Sequence, residues 1–155
     1  MDGNTGIART RYDEDFIAWA RQQAAALRAR DADAIDWDFL AEEMDSLGAS
    51  DLAQLESRLI RLMAHLLKLD HGKNRDPARQ WELTVREQRR AIKRLLKRMP
   101  SLEAKLPEMI VELYPDARAE ALDSFELYEP ERLGEYARVI SQECVYSAAA
   151  LINGK

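Results

Sequence analysis

At 155 residues, with 46% hydrophobic and 33% charged side chains, the chain suits one domain and is too apolar to be disordered. A single cysteine, Cys144, excludes an internal disulfide framework and a cysteine-ligated zinc finger, and two histidines exclude a His-rich metal site. The net charge of −5 sets up a repulsive long-range field for nucleic acid.

The first 11 residues read as a loose arm, followed by one all-helical domain over residues 12–155. The arm lacks an apolar run, so no secretory signal is expected. The most apolar stretch, Leu59–Leu69, is interrupted by Arg61, His65 and Lys68, and is too short and too charged to span a bilayer. A cytoplasmic location and no membrane contact are the expectation. Arginine outnumbers lysine 17 to 6 and alanine is abundant, a composition that fits a GC-rich bacterial genome.

Helical periodicity dominates. A first helix fits Asp13 to about Arg30, with Phe16, Trp19, Ala20, Gln23 and Leu27 on one side and acidic residues opening it. Asp36 suits the N-cap of a second helix bearing Trp37, Leu40, Met44 and Leu47, which Gly48 would end. Ser50 would cap a third, about Asp51 to Asp70, whose apolar arc covers half its circumference. Asp76-Pro77 reads as cap and first position of a fourth, running to about Met99. Beyond Ser101 the pattern stays helical, with a break or kink expected at Pro107 and at Pro115. Pro130 opens another helix to about Ile140, and Ser147 caps a final turn. No segment alternates long enough for a strand. The expected fold is an all-α bundle of five to seven helices, the first four packed around Leu59, Leu62 and Leu66, with an irregular helical tail.

The order of motifs carries a resemblance. Tyr12-Asp13-Glu14-Asp15-Phe16 with Trp19 is followed by Leu40-Ala41-Glu42-Glu43-Met44-Asp45-Ser46-Leu47-Gly48. Then come Leu55-Glu56-Ser57-Arg58-Leu59, Leu62-Met63-Ala64-His65-Leu66-Leu67-Lys68 and Trp81-Glu82-Leu83-Thr84-Val85-Arg86-Glu87-Gln88-Arg89, before Pro100-Ser101-Leu102. This series resembles the bacterial family known as domain of unknown function number 29, over about residues 12–121. Residues 122–155 form a divergent tail, weakly similar at Glu143-Cys144-Val145-Tyr146-Ser147. The resemblance implies an all-helical bacterial protein with no established activity.

Polar residues inside apolar arcs are the candidates for a site. On the second helix Glu43 falls within the arc and Glu42 points away. On the fourth, Gln88 falls between Trp81 and Leu95 and Arg89 beside Leu96, both toward the interior, and His65 lies at the edge of the third helix's arc. A desolvated carboxylate needs a partner, and an arginine fork is a natural one. Glu43, His65, Gln88 and Arg89 thus form a candidate interior polar cluster: a structural tie, or alternatively an enzyme, small-ligand or metal site. The paired Glu-x-x-His pattern of bundle metalloproteins is absent, and the scattered glycines make no phosphate-cradling loop, so no metal and no cofactor is expected. Cys144 reads as a small buried hydrophobe.

Charge is uneven. Residues 1–56 hold 5 basic and 13 acidic groups, whereas residues 73–98 hold 10 basic and 3 acidic. Arg79, Arg86, Arg90, Lys93 and Lys97 share one edge of the fourth helix, widened by Arg94 and Arg98, as a candidate interaction stripe. The first expectation for function is a non-catalytic protein-interaction or regulatory module with an acidic protein surface, or a second copy, as partner. The polar-cluster site comes second. Nucleic-acid binding through the basic helix is third, since no nucleic-acid motif is recognisable. Oligomeric state is left open.

Overall fold

The computed structural model describes residues 11–154, of which 82% are helical, counting six α-helices and three short 3-10 turns, with no strand among the described residues. All but Arg11 of the expected N-terminal arm lies outside them. The helices are α1 (Phe16–Ala29), α2 (Trp37–His71), α3 (Ala78–Arg98), α4 (Leu106–Tyr128), α5 (Leu133–Val139) and α6 (Ala148–Asn153). Short 3-10 turns cover Ala32–Ala34, Pro100–Lys105 and Pro130–Arg132. The chain forms two compact units, one ending at Ser50 and one beginning at Asp51.

The first unit holds α1 and the start of α2. Asp15 Oδ1 accepts from the Ala18 N–H at 2.9 Å and so caps α1, while Arg30 ends it in the left-handed region at φ 57°. Trp19, Gln23, Ala26 and Ile35 are buried. Gln23 Oε1 accepts from the Asp36 N–H at 2.7 Å, fixing the link into α2. Tyr12 stacks on Phe39 at 4.7 Å and meets the Trp19 ring edge-on at 5.0 Å.

The break expected at Gly48 does not occur: α2 runs through Gly48 and Ser50 as one helix of 35 residues. Gly48 has no positive φ and open space where a Cβ would sit, so nothing demands a turn. Glycine inside a helix costs only about 1 kcal/mol relative to alanine. The apolar stripe of the expected second helix is not buried either, since Trp37, Met44 and Leu47 are all more than half exposed.

In the second unit the core draws on α2 from Leu55 onward, α3, α4, α5 and α6. Leu55, Leu59, Leu62, Met63 and Leu67 of α2 are sealed within it, with Ile92, Ile110, Tyr136 and Leu151 from the later elements. Leu66, expected at the centre, lies at the core's margin. The tail is thus part of the core: Phe125, Tyr136, Ile140, Leu151 and Ile152 all belong to it. Helix α4 starts beside Pro107 and continues through Pro115. The carbonyl that Pro115 cannot donate to belongs to Val111, and both residues are exposed, so water can satisfy it. Ser147 Oγ accepts from the Ala150 N–H at 3.2 Å, the cap expected from the sequence. Helix α2 stops at Gly72, where a Cβ would come within 2.6 Å of the Lys68 carbonyl oxygen and 3.1 Å of the Trp81 ring. Glycine lets that ring close over the helix end.

Candidate functional site

The four residues of the expected polar cluster do not share a partner. Glu43, in the first unit, accepts from the Tyr12 hydroxyl. That hydrogen bond, then desolvation and the charges of Glu43 and Glu42, hold the phenol above its ordinary value. The Arg–carboxylate pair expected from the helical wheel is replaced, because Arg89 spends its donors elsewhere. Its Nε–H donates to the Leu151 carbonyl at 2.8 Å and its Nη2 to the Ala150 carbonyl at 3.5 Å. Both carbonyls lie in the last turn of α6, where a cation is favoured, and the Ala150 carbonyl also accepts from the Gly154 N–H at 2.9 Å. Gln88 is 3% exposed, and its Oε1 accepts from Arg58 Nη1 at 3.1 Å, tying α3 to α2.

His65 belongs to a third, separate arrangement. Its Nε2 lies 3.3 Å from Lys68 Nζ and its Nδ1 2.9 Å from the Arg61 carbonyl oxygen. An ammonium can only donate and a carbonyl can only accept. The proton therefore sits on Nδ1 and the ring is neutral. Burial, followed by the Lys68 charge, lowers its pKa to about 4. Lys68 itself is 7% exposed and lies 5.5 Å from the centre of the Trp81 ring, a cation–π contact. Burial pushes its ammonium below the ordinary value, partly offset by Glu120. Lysine in an apolar helix reads as an interruption; here its stem and head are enclosed.

This arrangement sets a pH dependence. The folded histidine has the lower pKa, so the unfolded chain binds more protons between pH 6.5 and about 4. Stability is lost as pH falls through that window and no further below it. Half-exposure of the ring reduces the effect to about 1 kcal/mol between pH 7 and pH 5. Urea midpoints at the two pH values should differ more for the wild type than for His65→Gln by that amount. Parallel slopes would show that His65 is as solvated folded as unfolded.

A cavity of about 430 Å³, which no sequence signal marks, lies between the start of α3 and the end of α4. Trp81, Pro77, Phe125 and Tyr128 line it, with Glu129. Glu129 is 8% exposed, and its Oε1 accepts from the Tyr136 hydroxyl at 3.0 Å and the Asn74 N–H at 3.3 Å. The Tyr136 hydroxyl in turn accepts from the Lys73 N–H at 3.1 Å. This clasp holds the loop between α2 and α3 to the tail. No group of three or more metal-binding side chains occurs among the described residues.

The basic stripe is laid out as its spacing implies. Arg79, Arg86, Arg90, Lys93 and Lys97 are all exposed along α3, opposite the buried Gln88, Ile92 and Leu95. None of the five has an ion-pair partner among the described residues. Arg98, beside them, is tied to Asp51 at 3.0 Å. Residues 11–155 match the family described as Domain of unknown function DUF29. The chain belongs to that family. The match takes in the whole tail, which the sequence motifs alone left as divergent. No curated protein and no solved structure matches the chain. The family's description attaches no activity to the chain. No helix among the described residues is long and apolar enough to cross a membrane.

Proposed function

We propose that this DUF29 protein is a non-catalytic interaction module of the bacterial cytoplasm, whose basic α3 edge docks an acidic protein surface. The observation that supports it is the unpaired stripe. Five cations stand in solvent along one helix with no carboxylate paired to them among the described residues, on an α3 whose inner face is packed into a core. Desolvated cations need counter-charges, and exposed ones of a single sign steer partners of the other. A second copy of the chain offers such a surface, because residues 1–56 carry a net charge of −8.

The test is charge reversal at solvent-facing positions, where the fold is spared. Arg86→Glu/Arg90→Glu/Lys93→Glu should abolish capture of an acidic partner from the native cell, or salt-sensitive self-association in sedimentation velocity. The wild type should show no useful DNA or RNA affinity at ~150 mM salt, because about five phosphate contacts lose roughly two to three orders of magnitude in affinity between ~50 and ~200 mM. Submicromolar nucleic-acid binding that vanishes in the triple variant would overturn the proposal in favour of nucleic-acid recognition.

A further inference from the structure

Between α2 and α3 lie two adjoining hollows on the flank of α3 that carries Arg94 and Arg98, next to the five exposed cations of the stripe. The first, about 200 Å³, is lined by Gln54, Ser57, Arg58, Arg61 and Gln88. The second, about 230 Å³, is lined by Gln54, Arg58, Ala91, Arg94, Leu95 and Arg98. Gln54 and Arg58 border both. Helical spacing builds the lining: Gln54 with Arg58, Ser57 with Arg61, and Arg94 with Arg98 are each four apart and share a face. Arg58 and Arg61 line the first hollow and Arg58, Arg94 and Arg98 the second; no carboxylate is among the lining residues, although Asp51 pairs with Arg98 from outside them.

Arg58 is the decisive group. It is half-buried, and its Nε–H is enclosed with no hydrogen-bond partner. Its one bond goes to the neutral amide oxygen of Gln88. A partly desolvated guanidinium without an anion is costly. Its neighbours do not supply one: Asp51 is engaged with Arg98, and Arg61 also borders a hollow on its other side lined by Glu56, Asp116 and Glu120. Arginine forks match phosphate oxygens, with several donors converging on one group. The two hollows, joined through Arg58, suit two linked phosphoryl groups.

We propose that the groove between Arg58, Arg61, Arg94 and Arg98 is a binding site for a diphosphate group. The ligand is either inorganic diphosphate or the diphosphate of a nucleotide. The site uses Arg94 and Arg98 at the stripe's margin and none of its five central cations, so the two proposals can fail separately.

The test titrates the full chain with inorganic diphosphate, orthophosphate and ADP at ~50 mM salt, where surface screening is modest. Calorimetry gives affinity, and the Arg58 Nε–H resonance in a proton–nitrogen spectrum gives location. Diphosphate should shift that resonance saturably and bind about tenfold tighter than orthophosphate, which fills one hollow. Arg94→Gln, at an exposed position, should weaken diphosphate about tenfold. Arg79→Gln should leave the affinity within about twofold, since it lies about four helical turns along α3 from Arg94, beyond the reach of a screened charge. ADP binding at least as tightly as diphosphate identifies a nucleotide; weaker ADP binding identifies the free anion. No saturable shift of Arg58 Nε–H by ~10 mM diphosphate would overturn the site. So would equal weakening by the Arg94 and Arg79 variants, or equal affinity for the two inorganic anions.

Discussion

Tyr136→Ala should cost the second unit about 3–5 kcal/mol, the range for removing a buried aromatic. Tyr136→Phe should cost about 1–3 kcal/mol, the range for stranding a buried polar partner. The tyrosine ring is fully enclosed and stacks on Phe125 at 3.9 Å between centroids, so truncation opens a cavity where no solvent enters. Phenylalanine keeps the ring but removes the hydroxyl that donates to Glu129 and accepts from the Lys73 N–H. Glu129 would then keep only the Asn74 N–H, at 3.3 Å. The loop around Lys73 and Arg75 would be freed at one end, exposing two trypsin sites. Urea denaturation should rank wild type above Phe above Ala, and limited trypsinolysis of the Phe variant should speed up at Lys73 and Arg75. If the Phe variant matches wild type in both, the hydroxyl clasp contributes nothing.

Neither Glu129 nor Tyr136 could have been paired from the sequence. They lie seven apart on different elements, and their other partners, Lys73 and Asn74, are more than 50 residues away. Periodicity shows which face of a helix is apolar, not which loop meets it. Local chemistry was far more legible. Ser147 caps the helix that the sequence opens beside it, because a cap acts within one turn, whereas α1 starts at Phe16 with Asp15 as its cap, three residues beyond the Asp13 start read from the sequence. Gly48 misled for the complementary reason. A glycine near a serine reads as a terminator, but a helix ends only where the backbone turns, and at Gly48 it keeps helical geometry.

The wheel arguments show the same limit. They set Gln88 and Arg89 toward the interior, and Gln88 is buried while Arg89 is half-buried. They also set Met44 and Leu47 inward, and both are exposed. A wheel assumes that something packs on the apolar arc, and it supplies partners only by chemical type. For Arg89 it suggested a carboxylate, whereas two backbone carbonyls meet the same need. The exposed stripe was legible because exposure of a charge is the default, requiring no partner to be named.

Arg89→Met should loosen α6 at a cost of about 1.5–3 kcal/mol, the range for a hydrogen bond to a charged group. Methionine retains the stem's packing and removes the donors that hold the Leu151 and Ala150 carbonyls. Leu151 and Ile152 are buried core residues on a six-residue helix, too short to persist without its anchors. Amide hydrogen exchange at Leu151 and Ile152 should accelerate well before that of α2 or α3. Gly154 supplies an internal check. It caps α6 at φ 76°, and a Cβ there would lie 2.8 Å from Arg89 Nη1. Gly154→Ala in the wild type therefore suffers both left-handed strain, about 1–2 kcal/mol, and a clash with the guanidinium. In the Arg89→Met background the clash with a fixed guanidinium is gone and only the strain remains. The two substitutions together should cost less than the sum of their separate effects, by about 1 kcal/mol in a double-mutant cycle. Strict additivity would mean that Arg89 does not sit on the end of α6, and the anchoring role would fall with it.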